Sequence, residues 1–107
     1  TTILNAPPQD GESTAQAAAK VARARERQLQ RQGVANAFLD LPGLRQHCAL
    51  SSADRQWLES ACERLGLSLR AAHRVLKVAR TLADLAEQQQ ISREHLAEAL
   101  QYRPAAG

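Results

Sequence analysis

Residues 68–85, "SLRAAHRVLKVARTLADL", decide the fold. Ser68 is a good helix cap, and Ala72, Val75, Leu76, Ala79, Leu82, Ala83 and Ala86 recur at the three-to-four spacing of one buried helical face. The pattern predicts a helix over about residues 69–87. With Ser68 as the cap, Arg70 takes the second helical position. Positive charge is least welcome there, because the helix dipole already places about half a positive charge at that end. Arg74 lies one turn further along the same face and Lys77 follows at i+7. A guanidinium beside a helix N-terminus suits a bound phosphate. It is equally what a tolerant surface carries, and the residues alone leave both readings open. Arg80 and Asp84 form an i,i+4 pair, worth roughly 0.3–0.5 kcal/mol if exposed and more if buried.

Working outward, helices flank this one on both sides. After the polar "EQQQ", Ser92 caps a helix over about 93–102, with Leu96, Ala99 and Leu100 facing inward and Pro104 ending it. Upstream, Gly66 closes a helix over 52–65 that opens with Ser51 and Asp54 in an S-x-x-D arrangement. Trp57, Leu58, Ala61, Cys62 and Leu65 make its apolar stripe. Asp40 before Leu41-Pro42 starts a short helical turn ending near His47. A first helix over 14–31 is capped by Ser13 or Thr14 and followed by Gly33. Its apolar positions, Ala18, Val21, Ala22 and Leu29, are weak, so it packs either on one narrow stripe or on something outside these residues. Residues 1–13, rich in Pro, Gly and turn formers, read as a linker, and 14–107 as one all-α domain: a small bundle of about four helices plus a short helical turn.

Composition agrees with this. Alanine and leucine dominate, aromatic residues are 3% of the chain, and β-branched residues are few. No apolar run approaches the ~18 residues of a membrane span, so no membrane partner is expected. The 107 residues contain no methionine, even at position 1, so a piece of a longer protein is expected. The first helix carries Lys20, Arg23, Arg25, Arg27 and Arg31 against Glu26 alone, more positive charge than the whole chain's net +3. Lys20, Arg23, Arg27 and Arg31 share one face. That face is either merely solvated or meets DNA or a neighbouring subunit. His47, Cys48, Cys62 and His95 lack C-x-x-C or H-x-x-x-H spacing, so helix packing with reduced thiols is expected there, and no metal site. Neither G-x-x-x-x-G-K-[ST] nor an apolar run ending in Asp-Glu occurs, so these residues alone are not expected to bind or hydrolyse ATP.

"LGLSLRAAHRVLKVARTLADL" followed by "ISREHLAEALQYR" resembles the C-terminal segment of bacterial magnesium-chelatase-like AAA+ ATPases, a competence-associated family that includes ComM-type branch-migration helicases. The resemblance also takes in "GES", the Arg-rich helix ending "RQLQRQG", "NAFL" and "HCAL", and so covers residues 11–103. It departs at Leu69, where a smaller residue such as alanine is expected. The resemblance implies the helical lid that follows an AAA+ core. Arg70 matches the sensor 2 arginine that reaches the γ-phosphate of ATP in its own or a neighbouring subunit, Arg74 supports it, and Ser68 caps the helix at that site. It further implies ATP and Mg2+ in the full-length protein, a core in the same chain, a hexameric ring acting on DNA, and a bacterial cytoplasmic location. Arg80 reads as a structural partner of Asp84. A free-standing DNA-binding module and a protein-interaction bundle, both using the basic helix 14–31, are the competing readings.

Overall fold

The computed structural model describes residues 14–102, all of it helix and connecting loop. The linker expected over 1–13, the Ser13 cap and the stop at Pro104 lie outside the described residues. In chain order come α1 (Thr14–Gln32), a 3₁₀ turn (Asn36–Phe38), α2 (Leu41–His47), α3 (Ser52–Leu65), α4 (Leu69–Leu85) and α5 (Arg93–Gln101).

Local chemistry sets most of these boundaries. Asp40, Ser51, Ser68 and Ser92 each accept a backbone N–H from the third residue of the helix they cap: Gly43, Asp54, Ala71 and His95. At α5 the box is completed by a histidine. His95 Nδ1 accepts the Ser92 N–H at 3.0 Å, the position that Glu or Gln usually fills. Gly66 stops α3 in the left-handed conformation, and the Leu67 N–H returns to the Cys62 carbonyl at 2.9 Å.

The end of α4 departs from expectation. The helix stops at Leu85, because Glu87 takes a left-handed φ of 58° and the Gln88 N–H closes back on the Ala83 carbonyl at 2.8 Å. A glycine-type stop made by glutamate is invisible to a rule that looks for glycine. Ala86, expected on the buried face, is therefore exposed.

α4 is the central element, packed against α5, α1, the 3₁₀ turn and α2. Its fully buried apolar row is Ala71, Val75, Ala79 and Ala83, spaced by four, while Leu76 and Leu82 pack beside it half-buried. Small side chains along that ridge let neighbouring helices come close. Leu58 and Ala61 of α3 and Leu96, Ala99 and Leu100 of α5 complete the core with Leu39, Leu44, Cys48 and Ile91. Leu65, expected in the α3 stripe, is largely exposed.

α1 does not pack on the narrow apolar stripe that was one of its two expected modes. Ala18, Val21, Ala22 and Leu29 are exposed, and the buried residues are Ala24 and Gln28. The helix is held through a polar seam instead. Asp84, only 1% exposed, accepts Arg31 Nη1 at 2.9 Å, Arg31 Nη2 at 3.2 Å and Asn36 Nδ2 at 3.0 Å. Gln28 Oε1 accepts the Asn36 N–H at 2.9 Å, and Asn36 Nδ2 also reaches Thr81 Oγ1. Arg80, 3% exposed, contacts Asp84 at 3.1 Å and donates to the carbonyls of His47, Gln88 and Gln89. Burial on its own would raise the Asp84 carboxyl. Hydrogen bonds from Arg31 and Asn36 and the charge of Arg80 outweigh it and hold the group below the usual carboxylate range.

Candidate functional site

The N-terminal half of α4 forms one wall of an open groove of about 580 Å³. Arg70, His73, Arg74, Lys77 and Val78 line this wall at the i, i+3, i+4, i+7, i+8 spacing of a single helical face. The facing wall comes from the 3₁₀ turn and the start of α2: Ala37, Leu39, Asp40, Leu41 and Leu44.

The two walls are fixed to one another from α4. Lys77 Nζ donates to the Ala37 carbonyl at 3.0 Å. Behind it Thr81 and Asp84 hold Asn36, and Arg80 holds the last carbonyl of α2 at His47. The helix that presents the cations thus also sets the width of the groove.

Arg70 and Arg74 are exposed, and among the described residues neither guanidinium has a hydrogen-bond or ion-pair partner. Ser68 Oγ accepts the Ala71 N–H at 3.1 Å, which fixes the backbone of the first turn of α4 from which Arg70 extends. Leu69 points its bulk into solvent and leaves Arg70 unobstructed. Asp40, the one carboxylate lining the groove, is engaged with the Gly43 N–H at 2.9 Å. Chemically the site sets two unpaired guanidiniums, a lysine that holds only a neutral carbonyl and a helix N-terminus against the single carboxylate of Asp40: a net cationic receptor for anionic oxygens.

The second set of cations does not form one free stripe. Arg31 is committed to Asp84, and Arg27 lies 3.6 Å from Glu87 on the α4 side. Lys20 lines a separate groove between α1, α4 and α5. Arg23 and Arg25 point outward. Among the described residues no three His, Cys, Asp or Glu side chains gather as a metal site would require. Cys48 is buried, which pushes its thiol up to about 11, and Cys62 is half-buried; both are free.

Sequence reasoning located the α4 cations but not the wall they face. The cap at Asp40 and the proline after it indicated a short helix there, yet nothing local says that Leu39, Leu41 and Leu44 would lie across from Arg70 and Arg74. Asn36 and Gln28 were missed altogether. The available signal was the Arg80–Asp84 pair within an apolar stretch, since a buried carboxylate calls for more donors than one arginine supplies.

The described residues contain no helix long and apolar enough to cross a membrane. Over residues 11–103 the chain matches the family described as magnesium chelatase, subunit ChlI C-terminal. It is 53% identical over 93 residues to the uncharacterized protein YifB of Escherichia coli K12, covering 87% of this chain and 18% of that protein. It is 50% identical over 93 residues, with the same coverage, to the competence protein ComM of Haemophilus influenzae. YifB of Salmonella typhimurium is 46% identical over 101 residues, 94% of this chain and 20% of that protein. The chain therefore spans about a fifth of the length of the curated relatives it matches.

Proposed function

We propose, for a chain that belongs to the family of the magnesium chelatase ChlI subunit's C-terminal domain, that it is the nucleotide-sensing helical lid of an AAA+ ATPase. The observation that carries this reading is Arg70: exposed, without a partner among the described residues, set at the capped start of the central helix and backed by Arg74 one turn on. In this role Arg70 places its guanidinium on the γ-phosphate of ATP held by the core. Phosphoryl transfer is helped chiefly by positioning and by neutralising charge on the phosphate oxygens, so an arginine fixed on a rigid helix serves both needs. Arg74 adds positive potential on the same face. Because the seam at Asp84 and Arg80 binds α4 to the rest of the domain, loss of the phosphate is felt by the lid as a whole.

The residues that cradle the phosphates and hold Mg2+ belong to the remainder of the full-length protein, since this sequence has no glycine-rich phosphate loop. The similarity to a competence protein, ComM, ties the reading to natural transformation; in this proposal the full-length protein works as a hexameric ring on DNA, with branch migration as its task and the bacterial cytoplasm as its place. The test is Arg70→Ala in the full-length protein. ATP turnover should fall by two orders of magnitude or more, about what one transition-state charge contact supplies, with the thermal midpoint nearly unchanged. Near-normal turnover overturns the proposal.

A second reading, a DNA-binding or protein-interaction module built on α1, draws on the outward-facing Arg23 and Arg25. The commitment of Arg31 to Asp84 weighs against it. Charge reversal at Arg23 and Arg27 in the full-length protein should weaken DNA binding or ring assembly and leave ATP affinity largely intact. Reversal at Arg70 should do the opposite, and equal effects from both would refute this division of labour.

A further inference from the structure

α1 stands apart from the apolar core. That core draws its side chains from α2, α3, α4, α5 and the loops between them, and among the described residues none comes from α1. Residues 14–23 are all exposed, and Ala24 and Gln28 are the buried residues of the helix. The bonds from Gln28 to Asn36 and from Arg31 to Asp84 and Asn36 come from its last two turns and are polar. Arg27 approaches Glu87 only to 3.6 Å, and its buried Nε has no hydrogen-bond partner among the described residues, a cost of the docked position.

Two charges taken out of water gain little net from meeting one another, and a lone helix of this length is marginal in water. Leaving the seam therefore costs the domain little and lets α1 unwind. The other helices can outlast it. Asp84 keeps Arg80 at 3.1 Å, and Arg80 keeps the carbonyls of His47, Gln88 and Gln89, none of them in α1. The 3₁₀ turn is less secure. The Asn36 N–H is held by Gln28, and Asn36 Oδ1 accepts Arg31 Nη2 at 3.0 Å and Gln32 Nε2 at 2.8 Å. Ala37 in that turn and Leu39 just after it belong to the wall facing Arg70 and Arg74. We infer that α1 is a polar latch, which opens as a unit while α2 to α5 stay folded, and whose opening loosens the turn that walls the cationic groove. The latch acts on the groove whatever anion the groove receives.

The test is native-state hydrogen exchange on the full-length protein at a series of low urea concentrations, resolved to single amides by electron-transfer fragmentation. The amides of residues 24–31, and the Leu39 N–H that bonds the Asn36 carbonyl, should exchange about tenfold or more faster than those of residues 75–83. Their rates should also rise less steeply with urea, because a smaller surface opens. Arg31→Met should quicken this group about five- to thirtyfold. Ala99→Gly, in the buried face of α5, should quicken residues 75–83 and 96–100 by about fivefold and leave the α1 amides as they were. A single rate and urea dependence for both groups overturns the latch, as do α1 amides that follow Ala99→Gly or show no protection at all. A Leu39 amide that keeps pace with residues 75–83 overturns its link to the groove. ATP turnover plays no part in this readout, so it stands or falls separately from the Arg70→Ala test.

Discussion

Asp84→Asn is the sharpest test of how this domain is held together. The side chains are nearly isosteric, so packing around the site is preserved. What changes is that a carboxylate contacted by Arg31, Asn36 and Arg80 becomes a neutral amide. One oxygen becomes an N–H₂ that faces existing donors, and Arg80 is left buried without its counter-ion. Breaking a buried pair from one side costs about 3–5 kcal/mol, and the part-exposed Arg31 can recover some solvation, which places the loss at about 3–4 kcal/mol. For a domain of this size that lowers the thermal midpoint by roughly 15–25 °C. Arg31→Met should cost less, about 1–2 kcal/mol, because Asp84 keeps Arg80 and Asn36. The assay is urea unfolding followed by circular dichroism, with the two single variants and the double variant closing a cycle. The pH dependence gives an independent check. The folded carboxyl sits below its ordinary 3.8, so between the two values the unfolded chain binds the proton more readily. The stability that Asp84 supplies is therefore complete above the ordinary value and fades as pH falls through the folded one. The gap between the native chain and Asp84→Asn should hold steady from about pH 7 down to about pH 5 and narrow below that. A loss under about 1 kcal/mol at neutral pH, or a gap that widens in acid, would refute the seam as the bond between α1 and α4.

Other perturbations probe single links. Glu87→Gly should raise stability by about 0.5–1 kcal/mol, because glycine takes the left-handed conformation without strain, while the loose contact to Arg27 contributes little; a lower midpoint would contradict this. His95→Ala should cost about 0.5–1 kcal/mol through loss of the box at the start of α5, and His95→Gln should restore most of it, both read from thermal melts. In the native chain a thiol reagent at mild alkaline pH should label Cys62 well before Cys48, whose thiol is pushed up to about 11 by burial. Equal rates would show that the pocket around Cys48 opens readily.

The sequence carried a great deal of this architecture. Capping is a local bargain between one side chain and the next turn of backbone, so Asp40, Ser51, Ser68 and Ser92 marked four helix starts before any tertiary contact was known. The inward face of α5 was equally plain, because Leu96, Ala99 and Leu100 have no polar competitor at their positions. α1 was the least legible, because its weak apolar positions left its contact face open, whereas its attachment depends on Arg31 and Gln28 meeting Asp84 and Asn36, which are more than fifty and eight residues distant.

By itself, then, the sequence determined the helices, their caps, the awkward placement of Arg70 at a helix start, and the membership of a family. Each rests on short-range spacing or on residue patterns that survive without a fold. Only the tertiary structure decided which cations are free. Arg31 looks no different from Arg23 or Arg27 along the chain, yet it is consumed by a buried carboxylate; Arg80, whose pairing with Asp84 the spacing did indicate, also holds backbone carbonyls that no spacing shows, while Arg70 and Arg74 open onto a groove. Whether an arginine serves the fold or a ligand depends on what stands across from it, and that is settled only when the helices pack.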